Sequence, residues 1–441
     1  MRLFIAPILL LPGLGMAATY PVGPGETYTT LNALFSAVNL GPDDIVEVTG
    51  GVTYPGGVVV PAADGGSAGH PVIIRGLRVG GQRPVISGGS NTVEFRQSDH
   101  LVFEGFEVQG GSARCILQGA HDVTVRDSVI HDCAGHGILG TDLESGSFTL
   151  EYSEIYDAGN GTSQHPLYIQ SDEIAHPGSV FRMRYCYVHD GNGGNLLKSR
   201  HERNEIHYNW FEGAAYHELE LIGPDEETQA PGWTRDLVRE DSDVVGNVII
   251  HTNPDFGSVV RVGGDGSGQS KGRVRFVNNT FVLASGEDAT VFRIFDGIQS
   301  VEMHNNVIDV SAGGTARIER TVEAVWTNGR QIHGSNNWIE AGSSFVPGAG
   351  EWSATLSGSN PGFTNAAAFD FTPLGGSPLR NAGNNAPASD AGFPFPGPTF
   401  PPAFHPQRAS VPAAVARGAD GFIDIGAFEA LSDLIFAHGF E

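Results

Sequence analysis

The sequence predicts an all-β chain wound as a single parallel β-helix, a solenoid with an N-terminal cap helix and an extended C-terminal segment. Three observations carry that prediction. An asparagine followed by two residues, apolar except at Thr280, recurs at Asn209-Trp210-Phe211, Asn247-Val248-Ile249, Asn279-Thr280-Phe281, Asn306-Val307-Ile308 and Asn337-Trp338-Ile339, with weaker copies at Ser128-Val129-Ile130, Ser153-Glu154-Ile155 and Cys186-Tyr187-Val188. The intervals between these anchors are 25, 33, 23, 38, 32, 27 and 31 residues. They are too irregular for helical repeats that superpose along their whole length, and they suit a coil of strands joined by elastic loops. Short alternating stretches precede the anchors, as in Val123-Thr124-Val125, Phe148-Thr149-Leu150, Phe181-Arg182-Met183 and Val274-Arg275-Phe276. Period two bounded by Gly, Asn and Asp is the signature of strand and turn. Asparagines repeated at one rung position can bond to the rungs above and below, since stacked strands lie about 4.8 Å apart.

The elements follow in chain order. Met1-Arg2, an apolar run from Leu3 to about Leu14, and Gly15-Met16-Ala17 read as a signal peptide over residues 1–17, which predicts a secreted protein, extracellular or periplasmic. The run is shorter than the roughly 18–20 residues of a membrane span, and no later stretch qualifies. Leu31, Leu34, Phe35 and Val38 share one helical face, and Ile45-Val46-Glu47-Val48 follows as a strand. A short amphipathic helix is what the open end of a solenoid needs to cover its core and strand edges. Rungs with this cap are expected over residues 18–345. Residues 346–430 form a Pro/Gly-rich segment expected to pack on the coil, because 8 of the 26 prolines fall between Pro387 and Pro412 and proline at that density forbids a central strand. Residues 431–441 are an apolar tail, whose Ile435-Phe436 and Gly439-Phe440-Glu441 resemble the ending of many exported bacterial proteins.

The formal charge of -25 excludes nucleic acid as a partner, since phosphate neutralisation needs a basic face. A monomer is expected. Three cysteines permit one bridge at most, with Cys115 and Cys133 nearest in sequence, while Cys186 occupies a ladder position and reads as a buried thiol.

On these residues the chain resembles the right-handed parallel β-helix proteins of the pectate-lyase-like superfamily, from about residue 20 to 345. Ser377-Pro378 and Asp424-Ile425-Gly426-Ala427-Phe428-Glu429 are similar to the usual ending of bacterial members. That coil carries lyases, hydrolases, epimerases, esterases and inert surface proteins, so function must come from the site.

Candidate site residues lie on the strand after each anchor: His165-Pro166-Leu167-Tyr168, Leu196-Leu197-Lys198-Ser199-Arg200, Tyr216-His217-Glu218-Leu219-Glu220, Val260-Arg261-Val262 and Phe292-Arg293-Ile294. With Leu167, Leu197, Leu219 and Phe292 inward, simple alternation turns Tyr168, Lys198, Arg200, Glu218, Glu220 and Arg293 outward together. Five of the 25 Lys and Arg fall between Arg182 and Arg203, with His189 and His201 among them, and Lys198 is one of only two lysines. Such a column suits an acidic polysaccharide. β-Elimination beside a uronate needs a cation on the carboxylate, a base for C5–H and an acid for the leaving oxygen. The expected roles are Lys198 as base, Arg200 as carboxylate clamp and Tyr168 or His165 as acid, with Glu218, Glu220, Arg261, Arg293 and His201 binding substrate.

Lys198-Ser199, Asn204 and Asn209-Trp210-Phe211 are similar to the Lys-Ser, Asn, Asn-x-Phe pattern of β-helical alginate and dermatan-sulfate lyases, which implies Lys198 as the base. The chain departs from that family at Glu220-Leu221-Ile222-Gly223, where an arginine motif would stand, and at Gly191 to Gly194, where calcium-binding acids would stand; neither role is carried over. No cofactor is assigned, although Asp225-Glu226-Glu227 and Asp241-Ser242-Asp243 could hold calcium through oxygens. Two alternatives to a polysaccharide lyase stand on the same residues. One is a glycoside hydrolase using Glu218 and Glu220 with Asp172 or Asp190; the other is a non-catalytic carbohydrate-binding or surface protein.

Overall fold

The structure, a computed structural model, describes residues 17–224, 232, 234, 241–264, 270–295, 297–322, 329–389, 400–410, 413–418 and 421–430. Residues 1–16 of the expected signal peptide, the acidic run Asp225-Glu226-Glu227 and the tail 431–441 lie outside the described residues. Each turn of the chain supplies one strand to each of three parallel sheets, which hold 13, 12 and 10 strands among the described residues. A turn crosses the first sheet, bends sharply into the second, then crosses the third. Strands three apart in sequence are therefore neighbours in space, which is the winding of a β-helix.

Inward residues stack in register from rung to rung. On the first sheet Val125, Leu150, Met183, Ile206, Val244, Phe276 and Met303 form one buried file. Each such apolar side chain contributes about 1.5–3 kcal/mol by leaving water. The open N-terminal end is closed by the helix Leu31–Phe35, whose Thr30 hydroxyl accepts from the Ala33 N–H at 3.2 Å and whose Leu31 and Leu34 are buried against the first rungs. At the other end the last paired rung strands are Trp352–Ser353 and Leu356–Gly358.

The bend from first to second sheet explains the asparagine recurrence. The residue before each anchor adopts a left-handed conformation: φ is 46° at Asp127, 50° at Tyr152, 58° at Tyr185, 60° at Tyr208, 53° at Asn278, 58° at Asn305 and 53° at Asn336. That bend turns the anchor side chain inward, where its amide replaces strand hydrogen bonds lost at the corner. Asn247 is typical. Its Oδ1 accepts from the Asn209 N–H at 2.8 Å and the Asn209 Nδ2 at 3.1 Å, while its Nδ2 donates to the Ile206 carbonyl at 2.8 Å and Asn279 Oδ1 at 3.0 Å. The same pattern runs through Asn279, Asn306 and Asn337. Ser128 and Ser153 instead fold back to the carbonyls of Arg126 and Glu151.

The outward residues at these bends anchor the C-terminal segment. Asn278 donates to the carbonyls of Asp424 and Gly426 at 2.9 and 3.1 Å, Asn305 to that of Asn384 at 3.0 Å, and Asn336 to that of Ala382 at 2.9 Å. Farther along, the Tyr208 hydroxyl accepts from the Ala403 N–H at 3.0 Å. Within the segment the buried Arg417 donates to Glu429 at 3.0 Å and to the carbonyls of Asp424 and Gly426. Cys115 and Cys133 form a disulfide, and Cys186 is buried, its thiol pushed up to about 12 by burial. Among the described residues no helix is long and apolar enough to cross a membrane.

Candidate functional site

The third sheet carries the candidate residues, and its strands enter the core in an unusual way. Two consecutive residues point inward at the start of each strand: Cys115 and Ile116, Leu196 and Leu197, Val259 and Val260, Val291 and Phe292 are all fully buried pairs. The next residue faces out. At that position Leu117, Leu139, Tyr168, Lys198, Glu220, Arg261, Arg293 and Arg320 are register partners on successive rungs. Tyr168, Lys198, Glu220, Arg261 and Arg293 thus form one outward column, with neighbouring strands about 4.8 Å apart. Arg320, which continues it, is exposed and was not among the residues expected from sequence.

Contacts within the column are specific. Lys198 Nζ lies 4.9 Å from the centre of the Tyr168 ring and 3.8 Å from Glu220 Oε2. Glu220 Oε1 accepts from Arg261 Nη1 at 2.8 Å, and Oε2 accepts from Asn195 Nδ2. Arg261 also donates to the Gly264 carbonyl at 3.0 Å and lies 4.1 Å over the Phe295 ring, which Arg293 approaches at 5.2 Å. Burial, then the charges of Arg261 and Arg320, hold the Arg293 pKa below its ordinary value.

Arg200 stands two residues beyond Lys198 and is buried. Its Nε donates to the Tyr168 hydroxyl at 2.9 Å and its Nη1 to the Gly223 carbonyl at 2.6 Å. The expected carboxylate clamp therefore holds the tyrosine instead.

Along the edge of this column, three residues before each outward position, runs a ladder that no sequence pattern had singled out. His136 Nδ1 accepts from the His165 N–H at 3.1 Å, His165 Nδ1 from the Asn195 N–H at 2.8 Å, and Asn195 Oδ1 from the His217 N–H at 3.0 Å. Accepting at Nδ1 leaves the proton of each neutral ring on Nε2. Burial, then Lys198, His136 and Arg200, lower the His165 pKa to about 3; burial and Arg114 lower that of His136 to about 4. A neutral, nearly inaccessible imidazole is not the acid that His165 was expected to be. Its ring packs edge-on to Tyr168, centroids 5.4 Å apart, and positions it. The signal in sequence was the rung offset itself: 29, 30 and 22 residues separate His136, His165, Asn195 and His217, matching the outward column.

Two other expectations are corrected. Glu218 occupies the first of the two inward positions, so it is fully buried and bonded to His251 Nδ1 at 3.0 Å, not outward beside Glu220. Burial raises the Glu218 pKa; for His251 burial acts downward, but the charge and hydrogen bond of Glu218 together with backbone hydrogen bonds at Phe256 and Asn253 outweigh it, and the net shift is upward. His201 is fully buried where the chain leaves the third sheet, its Nε2 3.1 Å from the Gly146 carbonyl, and burial lowers its pKa to about 4. It faces no groove.

The basic run between Arg182 and Arg203 also divides. Arg182, Arg184 and Arg203 lie on the first sheet, paired with Glu205, Glu151 and Asp243 at 2.8, 3.1 and 2.8 Å, and His189 lies on the second with Glu154 and Asp190. Of the five cations only Lys198 belongs to the column, with Arg200 buried two residues beyond it.

The carboxylates considered for hydrolysis are dispersed as well. Asp172 accepts from the N–H groups of Ile174 and Ala175, and Asp190 sits at the end of a second-sheet strand. Of the acids considered for calcium, Asp241 is bonded to Arg273 and the buried Asp243 to Arg203, with burial raising the Asp243 pKa to about 6. Among the described residues no group of three or more His, Cys, Asp or Glu is arranged to hold a metal ion.

No protein-family model and no curated protein matches this sequence. Solved structures do match in shape. The crystal structure of pectate lyase Pel9A superposes with a TM-score of 0.54 over 95% of this chain and 98% of that one, at 16% identity. An alginate lyase from Paenibacillus sp. str. FPU-7 aligns over 77% of this chain and 95% of its own, at 15% identity and a TM-score of 0.40. The PL6 family polysaccharide lyase Pedsa3628 from Pseudopedobacter saltans aligns over 78% and 92%, at 14% identity and a TM-score of 0.44. The superposition on Pel9A, together with three long parallel sheets wound in chain order, identifies the fold as a right-handed parallel β-helix of the pectate-lyase-like type.

Proposed function

We propose that the protein is an exported polysaccharide lyase that cleaves a uronate-containing polysaccharide by β-elimination. The observation that carries this reading is the single outward column of Tyr168, Lys198, Glu220, Arg261 and Arg293, which supplies base, acid and carboxylate-binding cations on adjacent rungs. The polysaccharide-lyase-like fold supports it.

In the proposed reaction the uncharged Lys198 amine takes the proton from C5 of the uronate. The C5–H electrons form the C4–C5 double bond, and the C4–O bond breaks with its electrons going to the glycosidic oxygen. That oxygen takes the proton of the Tyr168 hydroxyl. Arg200 already donates to the Tyr168 oxygen, so the phenolate that forms is stabilised in place. Arg261 binds the uronate carboxylate and withdraws charge from C5 as the proton leaves, with Arg293 one rung farther along. Glu220, braced by Asn195, holds Arg261 in reach.

Export is supported by the Cys115–Cys133 disulfide, because such bonds persist in oxidising compartments. The test is incubation of the folded protein with a panel of uronate polymers while the ultraviolet absorbance of the unsaturated product is followed. A rising signal on at least one polymer is expected. Reducing ends without that chromophore would replace the lyase with a hydrolase, and no product on any polymer would leave a binding protein.

A further inference from the structure

The outward column is not symmetric about Lys198. Toward later rungs come Glu220 and then three arginines in succession, Arg261, Arg293 and Arg320. Glu220 balances Arg261. The Arg293 side chain has His217 Nε2, at 3.4 Å, as its hydrogen-bond partner among the described residues, and its Nε is buried with none. Arg320 is exposed beside it. Toward earlier rungs the column reads Tyr168, Leu139, Leu117 and Glu94, and Glu94 is held by Arg96 at 2.6 Å with Arg114 nearby. Among the described residues, a chain with a formal charge of -25 thus places three arginines against Glu220 on one side of the site and two leucines on the other.

We infer that the polymer lies along the coil axis with its reducing end toward Arg320. Arg261, Arg293 and Arg320 then bind successive acidic units on that side, while Leu139 and Leu117 accept a sugar that need carry no charge. The inference rests on the lyase reading, which sets the direction: the unit that loses its C5 proton and gains the double bond is the one on the reducing-end side of the broken bond. That unit must meet the cations nearest Lys198, and the chain beyond it must continue over Arg293 and Arg320. Arg320 becomes a specificity residue for long acidic substrates. A rung advance of about 4.8 Å is close to the length of one pyranose in an extended chain, so neighbouring rungs can serve neighbouring units.

The test measures binding of saturated oligouronates by calorimetry to the Lys198→Ala protein, which prevents turnover, with and without Arg320→Gln. Arg320 is exposed, so its replacement leaves folding intact. The expected result is a loss of about tenfold in affinity for oligomers long enough to span four rungs, with dimers unaffected. Oligomers whose carboxyl groups are reduced only in the reducing-end half should lose binding, and those reduced only in the non-reducing half should keep it. Equal loss from either half, or no effect of Arg320→Gln on long oligomers, overturns the inference. If the wild-type protein still yields unsaturated product in that case, the lyase reading survives alone. If the binding pattern holds but no polymer yields the double bond, the arginine subsites stand and the lyase reading falls.

Discussion

Tyr168 is the residue on which most local contacts converge: Arg200 on its oxygen, Lys198 beside its ring face and His165 against its edge. Removing the hydroxyl while keeping the ring should therefore separate chemistry from packing. Tyr168→Phe is expected to lower kcat on the responsive polymer by about 10²-fold or more, with KM little changed, measured by the initial rate of unsaturated product. Equal effects on kcat and KM would assign the ring to binding instead. His201 makes a separate prediction about stability. Its folded pKa of about 4 lies below the unfolded value, so the folded state resists a proton that the unfolded state accepts once pH falls below about 6.5. The stability linked to this neutral imidazole is complete above that pH and is lost as pH falls toward the folded pKa. Denaturant titrations of wild type and His201→Asn should show the penalty of the substitution shrinking by about 2 kcal/mol between pH 7 and pH 5. A pH-independent difference would mean that the site is open to water.

At the scale of elements, the corner ladder is the device that makes the coil regular. Asn247→Ala would strand the Asn209 N–H, the Ile206 carbonyl and one group on each neighbouring amide, all buried. The expected cost is about 3 kcal/mol, read as a shift of the denaturation midpoint at constant slope. A cost under about 1 kcal/mol would show that the amides are replaceable by water. The ladder was legible in the sequence because its one residue type recurs, and so were the strands before it. Glu218 was misplaced for an equally physical reason: simple alternation from Leu219 turns it outward, but third-sheet strands begin with two inward residues. The doubled apolar pairs Leu196-Leu197, Val259-Val260 and Val291-Phe292 carry that information, and Glu218 conceals it by being the acidic member of its own pair. The edge ladder of His136, His165, Asn195 and His217 is not legible in the same way because it mixes two residue types with only the rung spacing in common.

The whole molecule is a ruler on which residues distant in sequence become neighbours. Tyr168 and Arg320 are five rungs apart along one file, although 152 positions separate them in the chain. Sequence alone reached most of this file, because Tyr168, Lys198, Glu220, Arg261 and Arg293 follow the coil. It did not reach the division of the basic run between sheets, since chain proximity and spatial proximity diverge wherever a turn passes from one sheet to another. Among the described residues the C-terminal segment adds none to this file. It seats instead on the outward Asn278, Asn305 and Asn336, at bends leading into the second sheet. Whether the file is the reaction centre of a lyase is tested most directly by comparing wild type and Lys198→Ala on the uronate panel by ultraviolet absorbance. Product is expected from the wild-type protein, with a loss of at least about 10³-fold in the variant while its thermal unfolding is unchanged. Equal rates from the two proteins would contradict it.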